Sequence, residues 1–313
     1  MQIDKPVFIS GYSRSGGTLM VTILDAHPDI AMSYELYPQL LSCICGDKKS
    51  WLSNFLKIFN KSTNITMNGF LKILKSADNS KAAAKKITDK QLRRFVLVCL
   101  RGGIDNKTLV TLIRSYLNSG HGFTDTSSCL KFIERCCIEK MNRTGKSIWG
   151  MKCTNEFNEY LKLWPDAYFI NVIRDGRDVL ASQLNTGNFN KNPKEIANGW
   201  LTTHKRFREF AENPNVHAYE VFYEKLVSQP EEEIRKICDF LKVPFENSML
   251  DFYQKDLTIY TNPSGHLSLN RISNPIDSSM IGRWKKDLTS QQLDEFYSVA
   301  KDTMKTFGYM GDD

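Results

Sequence analysis

The chain has 313 residues, with 42 Lys and Arg against 35 Asp and Glu, a net charge of +7. A hydrophobic share of 41% with 25% charged residues is ordinary globular usage and excludes a disordered or collagen-like chain. So mild a basic excess suits an anionic ligand but not a nucleic-acid surface, and no apolar run approaches the ~18 residues that a membrane span needs.

The N-terminal residues 1–6 lack the charged and apolar stretches of a signal peptide, so the expected compartment is the cytoplasm. Eight cysteines fit that expectation as reduced, packed thiols, because none stands at a metal-ligand spacing and no bound metal is expected. Residues 6–11 form a short apolar run bounded by Pro6 and Gly11, which predicts a buried strand. A Gly- and Ser-rich turn follows, and then a helix over 18–24 that stops at His27-Pro28. From 39 to 146 strand signals vanish. Apolar residues recur at i, i+3 and i+4 over 65–74, 88–100, 109–117 and 127–141, and Gly102-Gly103, Gly120 and Gly145 stand where such helices should stop. This stretch reads as a helical insertion serving as an acceptor lid within a single domain, 1–313. Its aromatics Trp51, Phe55, Phe59, Phe70, Phe95, Phe123 and Phe132 are candidates for a pocket wall, but their helical spacing favours core.

Alternation returns after 146. Strands are predicted at 147–151, 167–173 and 216–221, and helices at 155–164, 177–186 and 194–212, with further helices to the C-terminus. Apolar strands alternating with helices predict an α/β fold with a mainly parallel sheet covered on both faces.

Two segments carry chemistry. Gly11-Tyr12-Ser13-Arg14-Ser15-Gly16-Gly17-Thr18 joins a strand to a helix, where backbone N–H groups and the helix N-terminus converge on an anion. The spacing is that of a nucleotide P-loop, yet Gly17 stands where the γ-phosphate lysine would be and the cation has moved to Arg14. Ile173-Arg174-Asp175-Gly176-Arg177-Asp178-Val179-Leu180-Ala181-Ser182 joins the clearest strand to a helix. There Arg174, at the strand's carboxyl end, and the Ser182 hydroxyl would hold a second phosphate. A P-loop kinase is the rival reading; it would need a Mg²⁺-binding aspartate, for which Asp175 is the candidate. A non-catalytic nucleotide-binding module is another.

Together the two segments resemble the sulfotransferases that use 3′-phosphoadenosine 5′-phosphosulfate (PAPS), their 5′-phosphosulfate loop and 3′-phosphate motif respectively. Tyr223-Glu224-Lys225-Leu226-Val227 and Gly282-Arg283-Trp284-Lys285 are similar to two later elements of that family, the second of which closes over the nucleotide. The resemblance covers about 1–38 and 147–300. It implies PAPS as donor and 3′-phosphoadenosine 5′-phosphate (PAP) as product, with Arg14, Ser15, Gly16, Gly17, Thr18, Leu19, Arg174, Ser182, Tyr223, Ser273, Arg283 and Lys285 around the nucleotide. It places Lys152 at the family's catalytic lysine. Thr154 stands where the cytosolic branch has its histidine base, and Glu35 matches the base of the tyrosylprotein branch, where shielding from water would raise its proton affinity. A carboxylate at a helix start is the plainer reading of Glu35. His27 fits a turn better than a base. His121, in a Gly-flanked loop, is grouped with Glu35 and Tyr37 as acceptor-side residues.

Two arginines that the tyrosylprotein branch uses to grip acidic peptides align with Tyr37 and Leu41, and that branch's Golgi membrane anchor is missing. The expected acceptor is therefore a small hydroxylated molecule, with amines, carbohydrates and peptide tyrosine as alternatives.

Overall fold

The computed structural model describes residues 5–41, 44, 65–187, 192–262 and 267–310. Trp51, Phe55 and Phe59 lie outside these residues. Among the described residues, five strands form one sheet: β1 (Val7–Ser10), β2 (Ile30–Ser33), β3 (Ile148–Lys152), β4 (Tyr168–Ile173) and β5 (His217–Phe222). Their order is β2-β3-β1-β4-β5, and every pair is parallel. The turns that follow β1, β2, β3 and β4 therefore gather along one edge, the usual ligand edge of an open α/β sheet.

Side chains alternate between the two faces of the sheet. Phe8, Ala31, Trp149, Met151 and Phe169 point to one face, while Val7, Ile9, Ile30, Met32, Ile170 and Val172 point to the other. The first face is covered by α2 (Met67–Ser76), α3 (Ser80–Lys86), α4 (Lys90–Arg101), α5 (Asn106–Asn118), α6 (Thr126–Arg143) and α7 (Phe157–Leu163). The second is covered by α1 (Gly17–Asp25) and, beyond β4 and β5, by α10 (Tyr223–Ser228), α11 (Pro230–Leu241) and α12 (Thr258–Thr261). A third cluster joins the end of β4 to α8 (Gly176–Thr186), α9 (Pro193–Ala211) and α15 (Ser290–Thr306). Two short helices, α13 (Leu269–Ile272) and α14 (Trp284–Asp287), lie between.

The helical stretch is set by its caps. Thr66, Asn79, Asp89, Asp105 and Asp125 each accept a hydrogen bond from a backbone N–H in the first turn of α2, α3, α4, α5 and α6. The glycines expected as stops do end α4, α5 and α6, with Gly103, Gly120 and Gly145 left-handed at φ 81°, 80° and 67°. Phe70, Phe95, Phe123 and Phe132 are all core residues, continuous with Phe8 and Trp149 of the sheet.

Phe8 is the hub of that core. It is fully buried, with the rings of Tyr160, Trp164 and Phe169 at 5.0, 5.3 and 5.3 Å. Phe8→Ala is expected to cost about 3–5 kcal/mol of stability, as large-to-small changes in full cores do. Denaturant unfolding would measure it, and a loss below about 1 kcal/mol would mean that the ring cluster recloses around the void.

Candidate active site

The turns at the carboxyl edge enclose a cleft of about 1430 Å³. Four strand ends bring residues to it: Arg14 and Gly16–Leu19 after β1, Glu35 and Tyr37 after β2, Lys152–Glu156 at β3, and Arg174 after β4. The helical stretch adds Lys90, Arg93, Arg94 and Arg101 from α4, and α9 adds Arg206.

The loop after β1 is tightly seated. Gly16 has φ 102°, and a Cβ there would lie 2.6 Å from the Tyr223 ring, so this position requires glycine. Arg14 is itself left-handed, at φ 76°, which aims its side chain across the cleft mouth. Its Nε donates to Ser182 Oγ at 3.0 Å and its Nη1 to Ser268 Oγ at 3.2 Å. Burial, and then the neighbouring Arg174 and Arg283 guanidiniums, lower the Arg14 pKa, so three cations cluster at this end of the cleft. The Ser15 hydroxyl is buried and has no partner among the described residues.

Arg174 is 5% exposed and lies over the Tyr223 ring at 4.4 Å. It donates to Arg14 O at 3.3 Å and to Met280 O at 2.6 Å, while its Nε is buried without a partner among the described residues. A buried guanidinium nitrogen of this kind is a donor that an anion in the cleft could use. Asp178, one turn into α8, accepts from Gly282 N at 2.8 Å and Trp284 N at 3.0 Å, and so fixes the C-terminal segment against the motif. Asp175 is not available to a metal: it caps α8 by accepting from Arg177 N, and it pairs with the Arg177 guanidinium at 2.7 Å.

Glu35 occupies the other half of the cleft. It follows β2 in a left-handed turn, φ 54°, and so is not at a helix start. Oε2 accepts from Arg94 at 3.0 Å and from Arg101 at 3.5 Å, and Oε1 lies 3.9 Å from Lys152 Nζ. Lys152 in turn reaches the β1 loop: its Nζ is 3.7 Å from where a Cβ on Gly17 would stand. The carboxylate therefore sits among cations in a mostly buried position. Arg101 is 5% exposed, and its burial lowers its pKa against the opposing pull of Glu35.

Among the described residues no histidine lines the cleft. His27 is buried in its turn, Nε2 on Pro244 O at 2.9 Å and Nδ1 accepting from Asp29 N at 3.0 Å. His204 is buried beside Trp200, which pushes its pKa down to about 3. His121 stacks on Tyr116 at 4.9 Å in an exposed loop outside the cleft, so the structure does not bring it to the acceptor side. Ser273 and Lys285 are likewise outside. Ser273 Oγ turns back to Leu269 O in its own helix turn, and Lys285 lies over Trp284. Ser268 stands on Arg14 where Ser273 was expected, and Arg283 does line the cleft. Arg94, Arg101 and Ser268 are among the cleft residues that the linear sequence did not reveal.

A sequence model described as "Sulfotransferase family" matches residues 6–247. The chain belongs to the sulfotransferase family. Protein-tyrosine sulfotransferase A of Caenorhabditis elegans is 23% identical over 313 residues, covering 97% of this chain and 67% of the relative. Protein-tyrosine sulfotransferase of Drosophila melanogaster is 22% identical over 321 residues, covering 97% of this chain and 51% of the relative. The sulfotransferase domain of the Synechococcus PCC 7002 olefin synthase has the same fold, with a TM-score of 0.57 at 17% identity over 99% of this chain and 97% of that one. The sulfotransferase domain of the curacin biosynthetic pathway matches at a TM-score of 0.54 and 17% identity, over 97% and 98% of the two chains.

Membership of a sulfotransferase family sets the kinase alternative aside and makes this chain an enzyme. Two expectations are corrected. Relatives named for protein tyrosine overturn the small-molecule acceptor. They also overturn the cytoplasmic placement, which rested on a reading of residues 1–6. No helix among the described residues is long and apolar enough to cross a membrane.

Proposed function

We propose that this sulfotransferase moves the sulfuryl group of PAPS to the phenolic oxygen of a protein tyrosine lying among acidic residues. In this reading the Glu35 carboxylate takes the tyrosine proton as the oxygen attacks sulfur. The bond from sulfur to the bridging 5′-phosphate oxygen breaks, and PAP leaves. Lys152 and Arg14, with the N–H groups of the β1 loop and the Thr18 hydroxyl, meet the charge that develops on the bridging oxygen. Arg174 and Ser182 hold the 3′-phosphate, and Tyr223 and Arg283 line the nucleotide's half of the cleft.

The observation that carries this reading is one carboxylate, Glu35, within 3.9 Å of Lys152 at the β1 loop, in a cleft with no histidine among the described residues. For the acceptor, the names of the relatives are supported by charge. Residues 65–146 hold sixteen Lys and Arg against six Asp and Glu, more than the whole chain's excess of +7. Lys90, Arg93, Arg94 and Arg101 bring that charge to the cleft on α4. These arginines supply from a distant helix the grip that Tyr37 and Leu41 lack, and such complementarity steers an acidic partner and sets its register.

The test is transfer of labelled sulfate from PAPS to tyrosine peptides, one flanked by Glu and Asp and one by Gln and Asn. The acidic peptide should show a kcat/KM at least about tenfold higher, with the difference shrinking as salt rises. Equal rates on both peptides, or sulfation of neither, would end the acceptor assignment. Calorimetric titration with PAP and ADP tests the nucleotide half separately, and equal affinity for both would end the Arg174 assignment.

A further inference from the structure

The most deeply buried ion pair among the described residues plays no part in the chemistry above. Lys140 on α6 and Asp25 at the end of α1 are 2% and 1% exposed, with Nζ 2.9 and 2.8 Å from the two carboxylate oxygens. Lys140 Nζ also donates to Met32 O, so its three protons meet three acceptors. Asp25 in turn accepts from Met32 N at 2.8 Å and from the Tyr34 hydroxyl at 3.4 Å. Nearby, Lys146 donates to Asp25 O and to Ile30 O.

Both backbone groups of Met32 and the carbonyl of Ile30 thus end on this cluster. They belong to β2, the edge strand beyond β3, whose outward N–H and C=O groups would otherwise lack partners. β2 stops at Ser33, and two residues later the chain enters the left-handed turn that carries Glu35. Tyr34, between them, is buried and bonded to the same carboxylate.

A buried ion pair is a poor source of stability, since desolvation offsets most of the attraction. What it does supply is geometry, because both charges must be met at fixed points. We propose that the Lys140–Asp25 pair is a positioning device for Glu35. It locks the outer edge of β2 between α1 and α6 and so fixes where the turn presents the carboxylate to Lys152. This rests on Glu35 being the base.

The test is a double-mutant cycle on the full chain. Asp25→Asn combined with Lys140→Met removes both charges of the pair together, and Lys146, whose Nζ lies 3.9 Å from Asp25 Oδ1, keeps its hydrogen bonds to the Asp25 and Ile30 carbonyls. Its kcat is expected to fall about ten- to hundredfold, the effect of a carboxylate displaced by about 1 Å, with PAP affinity and acceptor KM unchanged. On the residual rate of Glu35→Gln, the same pair of changes should add nothing. A lower melting point with kcat intact, or a fall in kcat that adds fully to that of Glu35→Gln, would overturn the proposal and reduce the pair to a structural one. Should the double variant not fold, Tyr34→Phe, which loses a single hydroxyl, decides: unchanged kcat overturns the proposal, and a kcat-only decrease sustains it. A fully active Glu35→Gln enzyme would show that the base assignment has failed, and the proposal with it.

Discussion

Glu35→Gln is expected to lower kcat by about 10²–10⁴-fold, the range for loss of a positioned base, while PAP binds as before. Glutamine keeps the size of the side chain and the acceptor oxygen that Arg94 and Arg101 use, but cannot take a proton. Ser182 is held by Arg14, and Arg174 by the Arg14 and Met280 carbonyls, while Glu35 acts on Arg14 through its charge and less strongly than burial or the neighbouring guanidiniums, so affinity should change far less than turnover. Single-turnover rates with bound PAPS, beside calorimetry with PAP, would measure both. Retention of more than about a tenth of the parent kcat would transfer the proton to another acceptor, for which Glu156, also in the cleft, is the next carboxylate.

The second large effect belongs to Lys152. Lys152→Met should reduce kcat by about 10²–10³-fold, since a cation aimed at the leaving oxygen acts mainly in the transition state. The change keeps the aliphatic stem, which packs within 3.3 Å of the Gly17 Cβ position, so the loop stays in place. It also removes a cation that faces Glu35 beside Arg94 and Arg101. The acceptor KM should change far less than kcat. An equal rise in KM with kcat preserved would show that Lys152 binds the acceptor without meeting the developing charge.

Most of the residues expected around the nucleotide meet in one cleft, and they could be picked out in the sequence because they fall in local motifs. A glycine-rich turn between strand and helix, and an arginine at a strand end, are patterns of adjacent residues, and the fold placed them side by side through the β1–β4 pairing. The acceptor half depends on residues far apart in the chain. Arg94 and Arg101 meet Glu35 across separations of 59 and 66 residues. On α4 alone they look like the solvated face of an amphipathic helix, though their seven-residue spacing does place both on one side. β2 escaped notice because four residues, Ile30–Ser33, carry too little pattern between His27-Pro28 and Tyr34. α3 escaped because its Ala- and Lys-rich stretch lacks apolar periodicity. Ser268 was missed in favour of Ser273, five residues on; both hydroxyls suit the role, and only the path of the chain selects between them.

The meeting of Lys152 with Gly17 bears on where this loop takes its cation. In a nucleotide P-loop, position 17 would carry the lysine, rooted in the loop itself. Here the ammonium arrives from the neighbouring strand and fills the space directly above a residue without a side chain. A lysine placed at position 17 would have its Cβ 3.3 Å from Lys152 Cε and 3.7 Å from Nζ before the rest of its stem was built. Two lysines here would crowd each other, and the flexible end of Lys152 would have to give way. Gly17→Lys would therefore not simply add a phosphate-binding charge to the loop: it would press on the ammonium that stands 3.9 Å from Glu35.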